Sequence, residues 1–130
     1  MISFKKVRLL FFKVCNAFKF GIQRLFLGFT HQDIYSFNKS FITRNITLLK
    51  QFKKRKDSTP WDLTKDEWDD VLDHLIYYLE MMDEENVIKV LKKDMPEDYN
   101  PNLVSVSEIM NRNKKDFFEL FSKYFYDLWY

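Results

Sequence analysis

The residues best equipped for metal ligation or nucleophilic chemistry are two histidines, His31 and His74, and one cysteine, Cys15. Their spacing makes no CxxC, HxxxH or HExxH ligand set, which argues against a metal site. His74 stands four residues after Asp70 and four before Tyr78. An acid–base role can be drawn on that spacing, but a helix-surface ion pair uses the same one. Cys15 falls among apolar residues at helical spacing and reads as a small buried hydrophobe. Carboxylates crowd the stretch from Asp66 to Asp73. Acid–base catalysis needs unequal environments, and no apolar pocket accompanies these acids in the sequence, so a solvated face is the simpler reading. Gly21 and Gly28 are the only glycines, too few for GxGxxG and wrongly spaced for a Walker loop. The chain reads as no enzyme, and no cofactor is expected.

Cations offer a stronger signal. The net charge is +2, but residues 1–56 hold 13 Lys/Arg against the single acid Asp33, a formal +12. Residues 57–130 hold 8 Lys/Arg against 18 acids, a formal −10, which restores the total. Lys50, Lys53, Lys54, Arg55 and Lys56 form one candidate anion-binding cluster, and Lys5, Lys6 and Arg8 begin a second that continues through Lys13, Lys19 and Arg24. Interleaved with Phe and Tyr, such cations suit phosphate contacts and base stacking. Two arrangements are open for the first cluster. It either folds back on Asp66, Asp69, Asp70 and Asp73, or fans outward as a positive patch.

The elements that must position these groups are helical. The most strongly specified runs over about 64–82, where Thr64 and Glu67 make a capping box, Leu63 and Trp68 a hydrophobic staple, and acids occupy the first turns. Trp68, Val71, Leu72, Leu75, Ile76, Leu79 and Met82 follow the spacing of one buried stripe. Trp68 is expected to be buried against the first two helices.

Before it, a basic helix spans about 4–27, with the stripe Phe4, Val7, Phe11, Cys15, Phe18, Ile22, Leu25, Phe26 and Phe29. Leu9, Leu10, Phe12 and Phe20 lie off that stripe, so the helix is apolar on more than one side. Lys13 and Lys19 interrupt it too often for a membrane span, and its longest apolar run is too short for a signal peptide. A second basic helix covers about 31–54. Thr30 with Asp33 repeats the cap logic, Phe29 and Ile34 repeat the staple, and the stripe is Ile34, Phe37, Phe41, Ile42, Leu48, Leu49 and Phe52.

After the acidic helix come a short helix over about 84–93 and a loop from Met95 to Val104. A last helix covers about 106–129, with a Ser105/Glu108 capping box and the stripe Ile109, Phe117, Leu120, Phe121, Tyr124, Phe125 and Leu128. No alternating strand pattern is present, so the expected fold is an all-α, single-domain bundle of four or five helices. Fourteen Phe against two Gly suggest a Phe-filled core. One cysteine fits a reducing compartment, and the Asn45-Ile46-Thr47 sequon stands without other signs of secretion.

The stretches GIQRLFLGFTHQDIYSF (21–37) and LTKDEWDDVLD (63–73) resemble a family of small phage and prophage proteins. That family pairs a Gly-aromatic-Ser/Thr-x-x-Asp-x-aromatic helix entry with an L-T-x-E-E-W-x-x-[IV]-L entry. Gly28, Phe29, Thr30, Asp33 and Tyr35 match the first, and Leu63, Thr64, Glu67, Trp68, Val71 and Leu72 the second; Asp66 stands where the pattern has Glu, and Phe37-Asn38 where it has Leu-Asp. The resemblance implies a phage origin and a host-cell cytoplasm, and brings no activity or site residues with it. The expected function is non-enzymatic: a phage-type accessory protein that binds a host protein or an anionic ligand and self-associates. Nucleic-acid or signalling-nucleotide binding by the basic half is the first alternative, and attachment to a membrane surface ranks below it.

Overall fold

The computed structural model describes residues 4–27 and 36–129, without the side chains of residues 21 and 23–27. Among the described residues there are five α-helices and no strand: α1 (Phe4–Leu27), α2 (Phe37–Arg55), α3 (Lys65–Glu80), α4 (Glu84–Lys92) and α5 (Leu103–Tyr124), followed by a 3₁₀ turn at Phe125–Asp127. The all-α class and the helix number are those read from the sequence. The Thr30/Asp33 cap and the Phe29–Ile34 staple lie outside the described residues. The chain divides into two units, Met1–Ser40 and Phe41–Tyr130.

α3 starts as its sequence dictates. Thr64 Oγ1 accepts from the Glu67 N–H at 3.2 Å, and Glu67 Oε1 accepts from the Thr64 N–H at 3.3 Å. The box satisfies two backbone donors that a helix start leaves free. Trp68, Leu72, Leu75, Ile76 and Leu79 are buried on one face, and Leu63 packs on the same cluster. The helix ends at Glu80, short of Met82, and Asn86 Nδ2 donates to the Glu80 carbonyl at 3.1 Å across the turn into α4.

Trp68 has no exposed surface. Its ring meets Phe52 of α2 edge-on at 6.3 Å and Tyr124 of α5 at 5.6 Å. The wall around it is therefore α2, the second of the two helices expected to cover it, together with α5. The indole N–H has no hydrogen-bond partner, so packing alone holds the ring. Phe41, Ile42, Ile46, Leu49, Phe117, Leu120 and Phe121 complete this core. A smaller cluster of Met81, Val87 and Val106 ties α4 to the start of α5.

Several stripe assignments shift. In α2, Phe37 and Leu48 are exposed and Ile46 takes part in the core instead. Leu48 and Leu49 are about 100° apart on the helix, so both cannot face α3. α5 begins three residues before the expected start. Asn102 Oδ1 accepts from the Val104 N–H at 2.8 Å, and Ser105 and Glu108 lie inside the helix. Asn is as good a cap as Ser, and the earlier start carries Val106 into the contact with Met81 and Val87. At the other end Phe125 is exposed and the helix stops at Tyr124. With glycine so scarce, the left-handed position after α4 is occupied by Asp94 at φ 67°, one of the few residue types that tolerates it.

Phenylalanine is divided between core and surface. Among the described residues Phe117 is the one fully buried phenylalanine, with Phe41, Phe52 and Phe121 half-buried against its cluster, whereas Phe4, Phe11, Phe12 and Phe18 of α1 are exposed. Cys15 is exposed as well, contrary to its reading as a buried hydrophobe. The α1 stripe has helical spacing without the burial that such spacing usually signals.

Trp68→Ala is expected to cost about 3–5 kcal/mol as a large aromatic truncation in a packed core, and Thr64→Ala about 1 kcal/mol through the lost cap. Trp68→Phe should recover most of the difference, because the indole N–H makes no bond to lose. Urea denaturation of the three variants measures the order, and a Trp68→Ala penalty below that of Thr64→Ala would contradict this core.

Candidate anion-binding surface

The α2–α3 hairpin decides the fate of the first basic cluster. Lys50, Lys53 and Lys56 are spaced three apart and so share one face of α2. Across from them, Glu80, Asp73 and Asp69 run in the opposite direction along α3. The ion pairs are Lys50–Glu80 at 3.6 Å, Lys53–Asp73 at 2.7 Å and Lys56–Asp69 at 2.6 Å, a ladder that fixes the two helices antiparallel. Folding back, one of the two arrangements left open, therefore holds for three of the five cations. Asp69 and Asp73 take part as read from sequence; Asp66 and Asp70 make no such pair, and Glu80 joins instead.

The rungs differ in burial. Lys50 is exposed and Glu80 half-buried, and a pair so open to water contributes roughly 0–1 kcal/mol. The Lys56 side chain is only 6% exposed and that of Asp69 30%. Asp69 Oδ1 is screened from water, with no partner other than this ammonium. Lys56 stands close to the beginning of the 56–64 connection, where its stem lies along apolar surface and its charge meets Asp69.

Charges along the ladder reinforce one another. The Lys56 ammonium, helped by Lys53 and Lys65, holds the Asp69 carboxyl below its ordinary value of 3.8. The hydrogen bond from Lys53 to Asp73, with the nearby Asp69 and Asp70 charges, holds the Lys53 ammonium above its ordinary 10.5 despite some desolvation. Lys54 and Arg55 take no part in the ladder. Both are exposed, and neither pairs with a described acid.

The second cluster is arranged differently. Lys5, Lys6, Arg8, Lys13 and Lys19 are exposed along α1, a helix without a single acid. An open concavity of about 380 Å³ on its surface is lined by Lys5, Arg8, Leu9, Phe11, Phe12 and Cys15. Those walls belong to one helix, so they can meet a large surface but cannot enclose a small ligand. In the Phe41–Tyr130 unit, a groove lined by Ile46, Tyr77, Glu80, Met81, Asn86, Lys89 and Val90 holds one cation beside one acid. It lacks the ring of cations that a nucleotide pocket needs.

His74 makes a local contact. Its Nδ1 lies 2.6 Å from the Asp70 backbone carbonyl and its ring 6.0 Å from that of Tyr78. The partner is the carbonyl rather than the Asp70 carboxylate, so Nδ1 carries the donated proton and the expected ion pair is absent. Among the described residues no three of His, Cys, Asp and Glu converge where they could hold a metal. Sequence reasoning missed Glu80 because a search limited to the first turns of the acidic helix overlooks an acid at its far end. An antiparallel hairpin reaches it by pairing early α2 positions with late α3 ones.

The chain matches no family model, no curated protein and no solved structure.

The ladder sets a pH window. The Asp69 carboxyl is depressed on folding, so its stabilisation is complete above 3.8 and disappears as pH falls through the lower folded-state value. The Lys53 ammonium is raised, so its share is complete below 10.5 and disappears as pH climbs through the higher folded-state value. Melting temperatures measured against pH should therefore fall at both extremes, and Asp69→Asn should flatten the acid limb. At neutral pH, Asp69→Asn should destabilise more than Lys56→Met, because it strands an ammonium only 6% exposed, whereas the methionine leaves a carboxylate that is 30% exposed and can still meet water.

Proposed function

We propose that this is a non-enzymatic binding protein that docks on a polyanionic partner through α1. The carrying observation is that α1 has six Lys/Arg and no acid, and its described cations are exposed without a partner while those of the α2 face are already neutralised. A helix that is basic and also apolar on several sides gains both from neutralising an anionic surface and from covering Phe and Leu. The phage-type accessory role in a host cell is the setting that the sequence resemblance suggests. Nucleic acid is the next reading, favoured by the exposed Phe side chains beside Lys5 and Arg8 that could stack on bases. The lack of a polar recognition helix weighs against duplex readout.

Retention of the full chain on heparin as a function of salt tests the assignment. Replacing Lys5, Lys6, Arg8 and Lys13 with Gln should bring elution to much lower salt and leave the melting temperature nearly unchanged. Replacing Lys53, Lys54, Arg55 and Lys56 with Glu should do the reverse, lowering the melting temperature by setting like charges along the ladder while most retention survives. Parental retention in the first variant would overturn α1 as the docking element.

A further inference from the structure

Resting on that assignment, we propose that the polyanionic partner of α1 is an anionic lipid bilayer, in whose surface the helix lies flat. The sorting of side chains around α1 carries the inference. At about 100° per residue, Val7, Leu10, Phe11, Val14, Phe18 and Ile22 fall within one arc of roughly 140°, and every one of them is exposed. Cys15 lies in the same arc. Arg8 and Lys19 border it on one side, and Lys6 and Lys13 on the other. Cations at both margins of an apolar arc suit a helix whose arc enters the acyl boundary while its long basic side chains reach outward to phosphates. A nucleic acid could stack bases on the Phe side chains but would leave the aliphatic Val7, Leu10, Val14 and Ile22 of that arc in water, because phosphates need only the margins.

Leu9 stands on the other side, between Lys5 and Lys13, and Phe12 between Lys19 and Lys5; both are also exposed. Interfacial helices sink roughly 5–10 Å into the headgroup boundary, comparable with their own diameter of about 10 Å, so these two side chains leave bulk water in the same pose. The helix runs along the surface, not through it. Its 24 residues span roughly 36 Å, yet no helix among the described residues is apolar enough to cross a membrane.

The single cysteine supplies the probe. Full-length protein labelled at Cys15 with an environment-sensitive fluorophore is titrated with vesicles of phosphatidylcholine alone and with vesicles containing 30% phosphatidylglycerol, a composition chosen at about that fraction to give a strongly negative surface. A blue shift, quenching by acyl-brominated lipid, and partitioning at least tenfold stronger into the anionic vesicles are expected, since each cation near such a surface contributes about a fivefold factor. Replacing Phe11 and Phe18 with Ser should abolish the blue shift and preserve heparin retention. Replacing Arg8, Lys13 and Lys19 with Gln should erase the anionic preference. Heparin retention with no vesicle response would overturn the bilayer and keep the polyanion assignment. A shift that grows with protein concentration in the absence of lipid would overturn it in favour of a second copy of the chain. Failure to bind either vesicles or heparin would overturn both readings together.

Discussion

The burial of Trp68 sets the geometry on which the rest of the Phe41–Tyr130 unit depends. One large ring, with no exposed surface, is wedged between Phe52 and Tyr124, and it can be so only if α2 and α5 both run alongside α3. A side chain of this size removes on the order of 200 Å² from water, and that burial must outweigh the cost of an indole N–H left without a partner. The capping box four residues earlier fixes where α3 begins and hence the azimuth at which the indole enters the core. A start displaced by one residue would turn Trp68 by about 100° toward solvent.

Once α2 and α3 are held antiparallel, the charge pattern along them acquires a meaning it lacks in one dimension. Lys50, Lys53 and Lys56 meet acids of falling residue number, Glu80, Asp73 and Asp69. The ladder stabilises modestly where it is exposed. Its stronger effect is on specificity: a parallel arrangement would set the screened Lys56 ammonium away from Asp69. The same ladder neutralises three of the five cations that made the C-terminal end of α2 attractive as an anion site, leaving Lys54 and Arg55 there against the acid-free run of cations on α1.

α1 breaks the usual link between periodicity and burial. Its apolar stripe has the spacing of a core helix, yet its described large side chains are mostly exposed, among them Phe4 at 82% and Phe18 at 70%. Phenylalanine in this chain is thus divided between a modest core and a large uncovered helix surface. An exposed apolar surface of this extent, bordered by cations, is what the proposed docking on an anionic partner would cover.

What the sequence by itself determined was local. The all-α class, the α3 capping box, the buried face of α3 and the bounds of α1 and α4 follow from hydrogen-bond chemistry and spacing within a few residues, which no distant contact needs to arbitrate. Tertiary structure decided what depends on a second element. It chose Ile46 over Leu48 for the core, Asn102 over Ser105 as a cap, and Glu80 as the third acid of the ladder, because each choice is settled by what stands opposite. It also left Cys15 and the side chains of Phe4, Phe11, Phe12 and Phe18 uncovered. Periodicity reports which side of a helix is apolar, whereas burial requires a surface to meet it, and that is a property of three dimensions.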